Sequence, residues 1–192
     1  MRAKKIVVIN GHPDPSGARF VAALAAAYLT GASEAGHAIR RIDVGELNLP
    51  AIHSMGEFTA EASPGAKAAQ EAIAWADHVV VLYPLWLGGP PAVLKAFFEQ
   101  VFRYGFALGG EGPGLKGLLK GRSARVFVTM GMPGPIFRLV FDAPGLKAVT
   151  RGILMICGLR PVRSTVIGMV DASPRRRETM LRKARRLGAA AS

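Results

Sequence analysis

Most of the residues whose types and spacing could do chemistry fall in three stretches rich in Gly and Pro. The first is Gly11-His12-Pro13-Asp14-Pro15-Ser16-Gly17, with Arg19 two places beyond, between an apolar run and an Ala-rich helical pattern. A helix N-terminus carries unpaired N–H groups and a partial positive charge, so it suits a phosphate. Ser16 offers a hydroxyl, His12 a ring N–H, Gly17 a close backbone approach and Arg19 a full charge. A Ser-capped helix after a proline turn is spelled the same way, so the loop alone leaves both readings open. It is not a Walker loop, because the Gly-Lys-Ser/Thr ending is missing.

The second stretch is Tyr83-Pro84-Leu85-Trp86-Leu87-Gly88-Gly89-Pro90-Pro91. Trp86 and Leu87 exposed at a strand end call for a flat apolar ligand, such as a flavin or a quinone. The backbone from Pro84 to Leu87 would then meet the polar edge of its ring. The competing reading is a Trp buried under a crossover. The third stretch, Thr129-Met130-Gly131-Met132-Pro133-Gly134-Pro135, is equally flexible and equally open by itself.

The elements that must position these loops are five runs of branched apolar residues, Lys5–Asn10, Ala38–Val44, His78–Tyr83, Ala124–Met130 and Val162–Val170. The first, third and fourth are nearly continuous, as in strands buried on both faces of a parallel sheet. The second and fifth are more polar and fit sheet edges. Helical patterns fill the gaps at Ser16–Leu29, Pro64–Ala76, Pro91–Tyr104, Gly145–Cys157 and Pro174–Leu187. Gly158 and Gly188 read as C-caps, Asp142 as an N-cap, and Ala189–Ser192 as a frayed end. The segment Glu46–Ser63 is long for a connection and reads as a surface excursion. Strand and helix alternate five times, so the expected fold is α/β, a flavodoxin-like three-layer sandwich. Its five-stranded parallel sheet takes the order 2-1-3-4-5, in a single domain over 1–192. Ligands of such a sheet bind outside the carboxyl ends of the strands where the order reverses. All three unusual loops are expected there.

The 192 residues are 50% hydrophobic and 20% charged, with no run of about 18 apolar residues as a membrane span needs. A lone cysteine, Cys157, excludes an internal disulfide and suits a reducing compartment, so a cytoplasmic protein is expected. The net charge of +12 is concentrated in Arg175-Arg176-Arg177 and Arg182-Lys183-Ala184-Arg185-Arg186. This reads as the solvated basic face of an amphipathic helix; nucleic-acid binding is the weaker reading, because aromatics are not interleaved with the basic residues as single-strand binders require. His37, His53 and His78 lack metal-ligand spacing, so no metal is expected.

Gly11-His12-Pro13, Tyr83-Pro84-Leu85-Trp86, the helix from Pro91 to Phe102 and Gly105-Phe106-Ala107 together resemble the NAD(P)H:quinone oxidoreductase family of the flavodoxin-like fold. That family includes modulator-of-drug-activity enzymes and potassium-efflux regulatory oxidoreductases. The resemblance runs from Lys5 to about Val170. It implies a flavin cofactor, FAD ahead of FMN, with NAD(P)H as donor, a quinone-like acceptor and a homodimer. His12, Ser16, Gly17 and Arg19 would hold the flavin's phosphate end. Pro84, Leu85, Trp86 and Leu87 would line its ring, with Thr129, Gly131 and Met132 on the far side.

The chain also departs from the family. Trp86 lies one place early, and Arg19 stands where Asn is frequent. The Tyr and His that stabilise charge on the flavin in the best-studied relatives have no counterpart. No Tyr or His occurs from Gly105 onward. No catalytic side chain is therefore assigned, and that charge falls to backbone N–H groups or Arg138. The rival function is a flavin-binding regulatory subunit of a membrane transporter. A one-electron flavodoxin fits poorly, since those proteins are usually acidic.

Overall fold

Continuous apolar runs become buried strands here because both of their faces are covered by helices. The computed structural model describes residues 2–109 and 116–192. In chain order the strands are Lys5–Asn10 (β1), Ala38–Asp43 (β2), His78–Pro84 (β3), Leu108–Gly109 (β4), Lys116–Gly117 (β5), Ser123–Thr129 (β6) and Val162–Ile167 (β7). The two-residue strands β4 and β5 pair with each other. The other five form a parallel sheet in the order β2-β1-β3-β6-β7, the expected 2-1-3-4-5 topology with the polar strands at its edges.

The helices are Phe20–Glu34 (α1), Met55–Thr59 (α2), Pro64–Trp75 (α3), Ala92–Val101 (α4), Gly134–Leu139 (α5), Pro144–Lys147 (α6) and Pro174–Ala189 (α7). A π-helical stretch, Ala148–Met155, continues α6. Alternate residues of each strand serve different layers. Ile6, Val8, Val80, Leu82 and Phe127 pack against α1 and α7. Val7, Ile9, Val79, Val81, Val126 and Val128 pack against α3, α4 and the π-helical stretch.

Several local expectations are corrected. α1 begins at Phe20, not Ser16, so nine residues separate it from β1. Pro13, Pro15 and left-handed Gly17 (φ +73°) hold that stretch out of the helix. Gly158 does follow its helix in the left-handed region (φ +100°), but Gly188 lies inside α7. A Cβ on Gly188 would overlap the carbonyl oxygen of Tyr28, and one on Gly31 would overlap that of Arg185. These glycines let α1 and α7 approach closely. Asp142 caps nothing: it and Ala143 are left-handed, and its carboxylate pairs with Lys147. The C-terminal residues are docked, since Ala191 is buried and its carbonyl accepts from Lys4 Nζ at 3.0 Å.

The excursion after β2 is fastened to α4. Arg103, buried, donates to the carbonyls of Glu57 and Ala60 at 2.8 and 2.7 Å, and Gln100 donates to that of Pro50 at 3.0 Å.

Candidate functional site

The carboxyl ends of β1, β3 and β6 lie side by side, with Asn10 opposite Leu82 and Pro84 opposite Thr129. The three Gly- and Pro-rich loops therefore leave the sheet together, at the point where strand order reverses. Two backbone hydrogen bonds tie their bases: Gly11 N–H to Leu82 carbonyl and Leu85 N–H to Thr129 carbonyl, both 2.7 Å. Gly11 suits this close approach, since a Cβ would sit 2.6 Å from a Leu94 methyl carbon and 3.1 Å from the Leu82 carbonyl oxygen, and Leu94 would have to shift.

The first loop is built on polar side chains that bond its own backbone. Buried Asn10 donates to Asp43 at 2.8 Å and accepts the His12 N–H at 3.3 Å. His12 Nδ1 accepts the Asp14 N–H at 3.0 Å, which leaves Nε2 as the protonated, outward nitrogen of the neutral ring. Burial lowers the His12 pKa below its ordinary value, so that neutral form prevails at neutral pH. Asp14 in turn accepts the Ser16 N–H at 2.9 Å and the Arg19 guanidinium at 2.6 Å. The Ser16 backbone and side chain, with Arg19, hold the Asp14 carboxyl well below the usual carboxylate range. Ser16 is thus a turn residue whose hydroxyl receives the Ala18 N–H at 3.4 Å. No side chain caps α1, so its first-turn amides remain available to an anion.

The second loop is a tight reverse turn. Trp86 and Gly89 exchange both backbone hydrogen bonds at 2.9 Å, around Leu87 (φ +46°) and Gly88 (φ +80°). Positive φ at both central positions is the type I′ geometry, unusual for a leucine. The turn holds Trp86 51% exposed and Leu87 fully so, and it rests on Gly145, where a Cβ would overlap the Gly88 carbonyl. Trp86 meets His12 across the gap between the first two loops. Leu85 packs inward against the core, so it offers the site backbone only.

In the third loop Thr129 is buried, Gly131 is exposed with open space around it, and Met132 is half-exposed. Met130 and Met132 are bonded to the loop after β7, which fixes this side of the cleft. Buried Tyr83 donates to the Gly145 carbonyl at 3.4 Å, and burial raises its phenol pKa, so it is not poised as an acid.

All the expected site residues thus gather at one end of the sheet. Asn10 and Asp14 shape the first loop, a role that the sequence reading of that loop does not assign them. Asn10 had a legible signal, a polar residue closing an apolar strand.

The model of a family described as having a flavodoxin-like fold matches residues 4–189. The chain belongs to the flavodoxin-like fold family. This flavodoxin-like chain is 28% identical over 186 residues to an FMN-dependent NADH:quinone oxidoreductase of Nitratidesulfovibrio vulgaris, covering 85% of the chain and 88% of that protein. Over 112 residues it is 36% identical to a glutathione-regulated potassium-efflux ancillary protein of Enterobacter, covering 57% and 61%. The solved NAD(P)H:quinone oxidoreductase of Methanothermobacter marburgensis superposes with a TM-score of 0.83 at 25% identity, covering 100% of both chains. With other curated relatives the match spans about half of their length, 46% for a Haemophilus influenzae NAD(P)H oxidoreductase.

Proposed function

We propose that this chain, as one flavin-binding domain, is a cytoplasmic NAD(P)H oxidoreductase that reduces a quinone-like acceptor. The observation that carries the reading is Trp86, held half-exposed beside His12 just beyond the carboxyl end of β3. A solvent-facing indole at the reversal point of a parallel sheet suits a planar ring. The cleft fits a flavin: uncapped α1 amides for its phosphate, a polar loop for its chain, and an apolar turn for its ring.

A bound flavin would supply the hydride-accepting and two-electron-donating chemistry between nicotinamide donor and acceptor. The protein's part is to bind and orient. The α1 amides, the Ser16 hydroxyl, the Gly17 N–H and His12 Nε2–H hold the phosphate and ribityl end. Arg19 joins them once it leaves Asp14. Trp86 and Leu87 shield the ring from water. Thr129, Gly131 and Met132 close the other side. The relative named as FMN-dependent favours FMN over the FAD expected from sequence. Leu139, Val140 and Phe141 form an exposed apolar stretch at the end of α5, which suits a homodimer.

The test is steady-state oxidation of NADH and NADPH by flavin-loaded protein with menadione, after heat release and identification of the flavin. Turnover with a stoichiometric flavin supports the reading. A loaded sample that oxidises neither coenzyme favours the regulatory-subunit alternative, which the absent Tyr/His pair and the potassium-efflux relative keep in view. A colourless protein that binds neither FMN nor FAD would sink both.

A further inference from the structure

Beyond β7, at the open edge of the sheet, lies a cleft of about 510 Å³ that the flavin site does not use. Its walls are α5 and α7, and its floor is the edge of β7 from Ser164 to Val166. Arg138 enters from α5, and Arg176 and Lys183 from α7. Arg176 and Lys183 are seven residues apart, two helical turns, so they share a face. The Arg176 Nε–H donates to the Gly168 carbonyl at 3.0 Å, which orients the guanidinium while its terminal nitrogens stay available. Thr165 Oγ1 is already engaged by Arg125 at 2.9 Å, whereas the Ser164 hydroxyl has no partner among the described residues and can donate.

Among the described residues, no carboxylate lies within 4.0 Å of the charged nitrogens of Arg138, Arg176 or Lys183. Of the other cations on α7, Arg177 faces Asp171, Arg182 faces Glu178 and Arg185 pairs with Glu34, while Arg175 and Arg186 lie outside the cleft lining and have no acid within 4.0 Å among the described residues. Three cations that converge unpaired on a walled cleft differ from a solvated basic face. Two of them carry the planar fork that matches phosphate oxygens.

The place of the cleft in the sheet selects among phosphates. Three interstrand spacings, about 14 Å, separate β1 from β7. The ring-binding loops after β3 and β6 lie between. A flavin anchored at the β1 loop and extending toward β6 has its phosphate at the far end from this cleft. Gly134 borders both the β6 loop and the cleft, and Arg138 stands one helical turn further on. A second phosphorylated molecule whose reactive end lay on the ring would therefore lay its own phosphate here.

We infer that this edge cleft binds the 2′-phosphate of the donor and makes the protein selective for NADPH over NADH. The inference rests on the oxidoreductase reading above. A dianion held by Arg138, Arg176, Lys183 and the Ser164 hydroxyl is present in one coenzyme and absent in the other.

The experiment compares both coenzymes on flavin-loaded wild type and on an Arg176→Gln/Lys183→Gln double variant, which leaves Arg138 in place. Wild type should show kcat/KM at least roughly tenfold higher for NADPH, as a few charge-assisted hydrogen bonds supply. The double variant should raise KM for NADPH, leave kcat unchanged, and leave both NADH parameters unmoved. A wild-type ratio at or below one overturns the inference, as does an equal loss for both coenzymes. Calorimetry on the same loaded protein reads the cleft without turnover. Adenosine 2′,5′-bisphosphate should bind at least tenfold more tightly than adenosine 5′-monophosphate, and the double variant should abolish the difference. Equal affinity for the two nucleotides, or equally tight binding of inorganic phosphate, overturns it. Failure to oxidise either coenzyme with this binding preference intact counts against the oxidoreductase reading alone.

Discussion

His12 and Trp86 meet edge to face, ring centroids 6.0 Å apart and planes 81° apart, and so join the loop after β1 to the turn after β3. The contact fixes the indole over the cleft without burying it. Trp86→Ala should weaken flavin binding by roughly tenfold, whereas Trp86→Phe should retain most of it. Quenching of flavin fluorescence on titration reads the affinity directly. Equal affinity in the alanine variant would remove Trp86 from the ring site.

Asp14 occupies donors that a phosphate could use, the Ser16 N–H and Arg19. Asp14→Asn releases Arg19 and removes a like charge from the anion's path. FMN should bind up to about fivefold more tightly, the range of an exposed ion pair, while riboflavin, which has no phosphate, should be unaffected. If both ligands gain alike, the effect lies in loop shape and not in charge.

Leu87 combines full exposure with a left-handed backbone, a conformation that costs a bulky residue about 1 kcal/mol. Leu87→Gly should therefore raise the Tm by a few degrees, as about 1 kcal/mol does for a chain of this size. It should also raise the KM for the acceptor, because an apolar cover over the ring is lost. A variant that is more stable with an unchanged KM would show that the leucine has no part in binding.

At the opposite end of the sheet, His78 opens β3 with Nδ1 2.7 Å from the Ser123 hydroxyl and no partner for Nε2 among the described residues. Burial, with Lys4, Arg125 and Arg163 adding to it, pushes the ring down to about 3. In the unfolded chain the ring titrates near 6.5, so the unfolded state binds the proton first as pH falls. The contribution is complete above about pH 6.5 and is lost on the way down toward pH 3, about 2 kcal/mol of it by pH 5. Urea denaturation at pH 7.5 and 5.0 should show the drop, and His78→Gln should reduce it. An identical drop in the variant would assign it to other groups.

The sheet was legible in the sequence because Val7, Val80 and Val126 sit in runs apolar on both faces, which few other structures require. The three loops were legible by their unusual letters and by the topology that gathers them. The start of α1 was not, because Pro15-Ser16-Gly17 spells a capped helix as readily as a turn. The deciding contacts are those of Asp14 with Ser16 and Arg19. Gly188 is ambiguous for a similar reason: a glycine near a helix end can be a cap or a packing site, and only its neighbour Tyr28 decides. The edge cleft was hidden because Arg138, Ser164 and Lys183 come from three elements, and the charge on α7 alone looks like a solvated face.

The close approach of α1 and α7 at Gly31 and Gly188 ties these distant regions into one mechanical unit. α7 carries two cations of the edge cleft, and its seat on α1 sets how far they stand from Arg138. A single methyl group added at Gly31 would force α7 off its seat on α1 and so change the width of the cleft, without touching any residue that lines it. Coenzyme preference could therefore drift through a packing position remote from the chemistry. A search for altered donor use in variants of this protein should include those two glycines.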